Sequence, residues 1–175
     1  TLDARHRMPV WLKVDSGMHR AGVAPQQLQA LWQRLRACPC VSEITLMTHL
    51  ASADDPSQPS TLQQLATFEA ACDALPGPRG PRSIANSAGI LEWPAARQDW
   101  GRAGLMLYGV HPVAPVPAGA PPLRAVMRLQ SQVFAERWVE TGQAVGYGGM
   151  FVAPRPTRVG LVAIGYADGY PRSTP

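Results

Sequence analysis

The 175-residue chain carries 16 Lys plus Arg against 12 Asp plus Glu, a net charge of +4, with 46% hydrophobic and 16% charged residues, the balance of a chain that buries a core rather than a disordered one. No apolar run approaches the roughly 18 to 20 residues that span a bilayer, so no membrane partner is expected, and the arginines are scattered without a basic stripe or interleaved aromatics, which argues against a nucleic-acid partner. Three cysteines include Cys38-Pro39-Cys40, a pair too close in sequence for an ordinary disulfide and without histidines at zinc-finger spacing; they read as reduced thiols, which makes the cytoplasm the expected location and no metal the expected state.

In chain order, residues 9–14 read as a buried strand, and residues 25–37 place Leu28, Leu31, Trp32 and Leu35 at helical spacing behind Pro25. A second strand is predicted over Ile44 to Thr48, followed by a helix over about 61–75 with Leu62, Leu65, Phe68 and Cys72 on one face. Shorter apolar runs come near 83–86 and 104–108. Strands separated by helices imply a parallel sheet with right-handed crossovers.

The pattern changes after Tyr108. Between His111 and Pro122 stand Pro112, Pro115, Pro117, Pro121 and Pro122 with Gly119, a stiff connector. Beyond it Val126 to Val139, Val145 to Val152 and Val159 to Ile164 read as strands with no helical pattern between them. The predicted fold class is α/β, an incomplete (β/α) barrel over 1–118 followed by part of an all-β domain over 119–175.

Polar and glycine motifs gather where the strands end, the side on which a (β/α) barrel builds its site. They are Lys13-Val-Asp-Ser-Gly-Met-His-Arg20, Thr48-His49-Leu50-Ala51 with Asp54, Ala85-Asn86-Ser87-Ala88, Gly101-Arg-Ala-Gly-Leu-Met-Leu-Tyr-Gly109, Val145-Gly-Tyr-Gly148 and Ile164-Gly-Tyr-Ala-Asp-Gly-Tyr170. In this order and at this spacing they resemble the motifs of the alanine racemases, homodimeric enzymes that interconvert L-alanine and D-alanine with pyridoxal 5'-phosphate (PLP). The family's layout, a barrel joined to a C-terminal β domain, matches the predicted one.

The resemblance implies roles residue by residue. Racemisation removes the α-proton on one face of the carbon and returns a proton on the other, so two acid/base groups are needed. Tyr147 matches one of them, and the Schiff-base lysine is the other. Lys13 is the only lysine of the chain, and it matches a different family lysine, one that carries a carbamate. The chain therefore reads as an internal fragment, cut at both ends, lacking the Schiff-base lysine and inactive alone. Read without the family, Lys13 would itself be taken for the cofactor anchor.

His49 and Arg102 match the residues that support the tyrosine phenolate, and Arg102 also matches the arginine at the cofactor's pyridine nitrogen. Because guanidinium keeps its proton, that nitrogen stays unprotonated and the ring is a weaker electron sink. Ser87, Gly104 and Leu105, with Asn86 beside them, match the phosphate cup. Arg20 matches the arginine near the cofactor's phenolic oxygen and the substrate carboxylate, a task that suits a planar fork of donors. Tyr166, Arg172 and Asp54 match the access corridor. His6, His19 and His111 match no role and are expected to face solvent.

Three alternatives stand beside this reading: a racemase of broader specificity, a basic-amino-acid decarboxylase, and a noncatalytic PLP-binding protein. Decarboxylases of this architecture set an acidic residue at the pyridine nitrogen and rely on a cysteine, so Arg102 and the tyrosine motif speak against them. A carrier would not need a β domain bearing Tyr147. The resemblance implies either D-alanine made as a peptidoglycan precursor or an enzyme of alanine catabolism, two roles that the sequence leaves open.

Overall fold

A computed structural model describes residues 6–78 and 80–171. It contains two compact units, Thr1–Met127 and Arg128–Pro175. In the first, strand β1 (Met8–Lys13) leads through a 3-10 turn at Pro25–Gln27 into helix α1 (Leu28–Arg36), then β2 (Val41–Met47), helix α2 (Ser60–Asp73), β3 (Arg82–Ser83) and helix α3 (Ser87–Glu92). The three strands form one parallel sheet in the order β1-β2-β3, Leu12 facing Leu46 and Leu46 facing Arg82 in register. This is the incomplete α/β barrel expected.

One face of the sheet is buried because α1 and α2 cover it. Leu28 and Trp32 from α1 and Leu65, Phe68 and Cys72 from α2 pack with Leu12, Val14, Ile44, Leu46 and Ile84, and Leu28, Phe68 and Ile84 are wholly excluded from solvent. Burying residues of this size contributes about 1.5–3 kcal/mol each. The core face of α2 differs from the one predicted. Leu62 is 61% exposed, while Thr61 and Gln64 are buried, because α2 begins at Ser60 and its contact stripe runs through Thr61, Gln64, Leu65, Phe68 and Cys72.

Three further expectations are corrected. The run at 104–108 is not a strand but a 3-10 turn at Leu105–Leu107; its backbone turns back on itself, the Tyr108 N–H donating to Leu105 O at 3.0 Å. Helix α3 at Ser87 has no counterpart in the predicted elements. It starts there because Asn86 stands at its N-cap and its Oδ1 accepts the Gly89 N–H at 2.9 Å, the side-chain cap that begins many helices. His111 is only partly exposed, and its Nε2 is buried.

The second unit pairs β4 (Val133–Val139) antiparallel with β7 (Thr157–Val162), and β5 (Ala144–Val145) antiparallel with β6 (Phe151–Val152). The continuous strands predicted over 126–139 and 145–152 are shorter or broken. Residues 126–132 add no strand. Tyr147–Gly149 form a 3-10 turn between β5 and β6, in which Gly146, Gly148 and Gly149 have φ of 76°, 72° and 57°, conformations that side chains with a Cβ adopt only under strain. Glycine flanking the tyrosine is what lets the chain reverse there. Among the described residues no helix is long and apolar enough to cross a membrane.

Candidate active site

The first unit brings its motif residues to one end of the sheet. Lys13 closes β1, His49 follows β2 within two residues, and Asn86 and Ser87 follow β3, so all three polar loops leave from C-terminal strand ends, as in (β/α) barrels. A cleft of about 290 Å³ opens there, with His49, Asp54, Ser87, Arg102 and Gly104 in its wall. Asn86 and Leu105 line it too.

Arg102 is the hub. Its Nη1 donates to Ser83 Oγ at 2.6 Å, and its Nη2 to the carbonyls of Thr48 at 2.6 Å and Ile84 at 3.2 Å, while its own N–H reaches Ala85 O at 2.9 Å. The guanidinium thereby ties the ends of β2 and β3 together. The same Nη2 lies 3.1 Å from His49 Nδ1. Guanidinium donates only, so Nδ1 accepts and the neutral imidazole carries its proton on Nε2. Burial holds His49 below the ordinary imidazole value, and the charges of Arg102, Arg20 and Lys13 lower it further.

Gln64, which sequence reasoning did not single out, and Thr48, which opens the Thr48-His49-Leu50-Ala51 motif, hold this arrangement. Gln64, 2% exposed on α2, accepts the Ala51 N–H through Oε1 at 2.8 Å and donates through Nε2 to His49 O at 3.0 Å, gripping the loop that carries the imidazole from both sides. The signal for it is a carboxamide on the buried face of a helix, a position polar groups occupy only when paired. Thr48 Oγ1 donates to Val14 O at 2.9 Å and meets Ser16 Oγ at 2.8 Å, joining the ends of β1 and β2.

Ser87 Oγ accepts the N–H groups of Gly104 at 2.9 Å and Met106 at 3.3 Å. A Cβ added at Gly104 would meet nothing within 4 Å, so the backbone there is open to a bound group. The Ser87 hydroxyl and the open backbone at Gly104, with the imidazole and guanidinium lining the same cleft, fit a ligand that has an anionic end and a ring with a hydrogen-bond acceptor.

The loop after β1 is folded back on its own strand. Asp15 N donates to Val23 O at 2.8 Å and Val23 N to Lys13 O at 2.9 Å, while Asp15 Oδ1 accepts from Gly17, Met18 and His19 N–H groups at 3.1, 3.1 and 2.9 Å. Those bonds, the His19 one foremost, hold the Asp15 carboxyl below the usual carboxylate range. Lys13 Nζ donates to Ala21 O. Arg20 is exposed.

In the second unit Tyr147 is 89% exposed on its turn and Tyr166 is 68% exposed on another, Tyr166–Asp168. Arg172 lies outside the described residues.

The alanine racemase N-terminal domain matches residues 2–112, and the alanine racemase C-terminal domain matches residues 126–175. The chain belongs to the alanine racemase family. It is 52% identical over 167 residues to the alanine racemase of Halorhodospira halophila, covering 95% of this chain and 45% of that protein. It is similar in structure to the biosynthetic alanine racemase of Pseudomonas aeruginosa, with a TM-score of 0.72 and 47% identity over 97% of this chain and 46% of that one. It is also similar to the alanine racemase of Bartonella henselae, whose structure holds covalently bound pyridoxal phosphate, at a TM-score of 0.67 and 35% identity over 94% of this chain and 44% of that one. The chain thus spans about half the length of the relatives it matches.

Proposed function

We propose that the full-length protein containing this chain interconverts L-alanine and D-alanine with PLP as cofactor. The observation that carries the reading is one cleft lined both by Arg102, paired with His49, and by Ser87 and Gly104, in a chain of the alanine racemase family. When bound, PLP supplies an electron-accepting ring that acidifies the substrate's α-hydrogen. The chain supplies binding, orientation and proton transfer.

Ser87, Asn86 and the backbone at Gly104 and Leu105 would hold the phosphate, and Arg102 would meet the pyridine nitrogen without giving it a proton. Arg20 would bind the substrate carboxylate in the bidentate manner open to a guanidinium. Tyr147 would deliver or remove a proton at its hydroxyl. A tyrosine works at neutral pH only where cationic or donor groups stabilise its phenolate, and the His49–Arg102 pair is the group assigned that task. Lys13 would carry a carbamate, which would put a negative charge in place of the cation that acts with Arg102 and Arg20 on His49. Asp54, Tyr166 and Arg172 would line the access corridor.

We place the enzyme in the cytoplasm as a homodimer with sites shared between subunits, the barrel ending at about residue 118, and its D-alanine feeding peptidoglycan. The test is exchange of the α-hydrogen of each alanine enantiomer with deuterium by the PLP-loaded full-length protein. Exchange in both directions is expected. Binding of PLP without exchange would leave a carrier, and faster exchange with larger amino acids would point to the broader racemase.

A further inference from the structure

The Cys38-Pro39-Cys40 segment lies at the other end of the sheet from the cleft, between α1 and the first residue of β2. Its two sulfurs are 3.0 Å apart, so each thiol is the other's immediate partner and no bridging ion fits between them. Both side chains are partly exposed, whereas Cys72 is 2% exposed in the core.

The fold, not the thiols, sets this closeness. Cys38 N donates to Leu35 O at 3.1 Å, closing the helix, and Val41 N donates to Cys38 O at 3.1 Å, closing the turn. On the other side Met8 N donates to Cys40 O at 2.8 Å, tying the second cysteine to the start of β1. Pro39 between them fixes its own φ. Both cysteine backbones are therefore held by neighbouring secondary structure before any sulfur chemistry takes place.

We propose that Cys38 and Cys40 form a thiol–disulfide exchange site that takes low-molecular-weight disulfides of the glutathione class. The Cys38 thiolate attacks one sulfur of the small disulfide, whose S–S bond breaks and releases one thiol. Cys40 then loses its proton and attacks Cys38 Sγ, expelling the second thiol. Two electrons and two protons leave the protein pair, one small disulfide is reduced to two thiols, and one S–S bond closes between Cys38 and Cys40. The contact between the thiols supports this order. The hydrogen bond from Cys40 holds the Cys38 thiol below the ordinary cysteine value, and the same contact pushes Cys40 up, which makes Cys38 the attacking sulfur.

The test uses the full-length protein, equilibrated with mixtures of reduced and oxidised glutathione, quenched by alkylation and read by peptide mass spectrometry. The expected product is a peptide holding both cysteines about 2 Da lighter than its reduced form and restored by dithiothreitol. In Cys40→Ser the reaction should stop at a glutathione adduct on Cys38, about 305 Da heavier. Two adducts on the unaltered protein in place of the internal bond would overturn the proposal. So would closure that is equally favourable in guanidinium chloride, where only the two-residue spacing survives.

Discussion

Gln64 Nε2 donates to His49 O across 3.0 Å while the same carboxamide accepts the Ala51 N–H at 2.8 Å. A buried side chain on the helix behind the sheet thus fixes the backbone on either side of Leu50, and the imidazole is aimed from outside the cleft. Gln64→Leu keeps the volume and removes both bonds, leaving the partly buried His49 carbonyl and Ala51 amide N–H without their partner. The expected loss is about 1–3 kcal/mol of stability, read as a lower denaturation midpoint of the full-length protein. Turnover should fall with it more than KM rises. Unchanged stability would show that water takes over both bonds.

The low proton affinity of His49 has a pH signature. Its folded value lies below the ordinary 6.5, so between the two the unfolded chain binds more protons and stability rises with pH. The contribution of this residue is complete above about 6.5 and is lost as pH falls from there toward the folded value. An NMR titration of the His49 ring should give a midpoint under 6.5, and Arg102→Gln should move it upward by removing a neighbouring positive charge, although burial, the larger cause, remains. A midpoint at or above 6.5 would overturn the buried setting of the ring, and an unmoved midpoint in Arg102→Gln would mean that Arg102 does not face it.

For Tyr147, the expected outcome of Tyr147→Phe in the full-length protein is a fall of about 100-fold or more in racemisation in both directions, the scale of losing a positioned acid/base group. Rates within a few-fold of the unaltered enzyme would remove Tyr147 from the chemistry. Mixing this variant with one lacking the Schiff-base lysine should restore some activity if subunits share sites.

Lys13 is tested by mass and crystallography in bicarbonate near neutral pH. A carbamate adds about 44 Da and replaces a cation with an anion, reversing the sign of its interaction with Arg20. Lys13→Ala should lose activity and regain part of it with a small carboxylate in the buffer. Capture of the cofactor on Lys13 by borohydride would instead make it the anchor.

Much of this was legible in the sequence because it is written in periods and motifs. The β1-α1-β2-α2 order follows from apolar spacing, and His49, Asn86, Ser87 and Arg102 stand out by their motifs alone. What was hidden depends on contacts across the chain. Leu62 fits a helical stripe as well as Gln64 does, and only the direction of α2 against the sheet decides which is buried. The 104–108 segment is as apolar as a strand, yet Ser87 Oγ, accepting from Gly104 and Met106, holds it in a turn. The cap at Asn86 makes a helix from what reads as a loop.

The return of residues 15–23 onto the end of β1 fixes the length of that segment. Gly22, at φ +118°, passes so close that an added Cβ would lie 2.9 Å from Asp15 N and 3.0 Å from Lys13 O, and the loop has no slack between its two bonds to Val23. Adding or deleting one residue there would swing Arg20 off its course while leaving every strand in place. The proline-rich stretch beyond His111 carries no such closure at Gly119, where an added Cβ meets nothing within 4 Å. Variation in chain length among relatives should therefore collect in the connector and avoid the first loop, so that an affinity tag or reporter peptide belongs near Gly119 and nowhere between Asp15 and Val23.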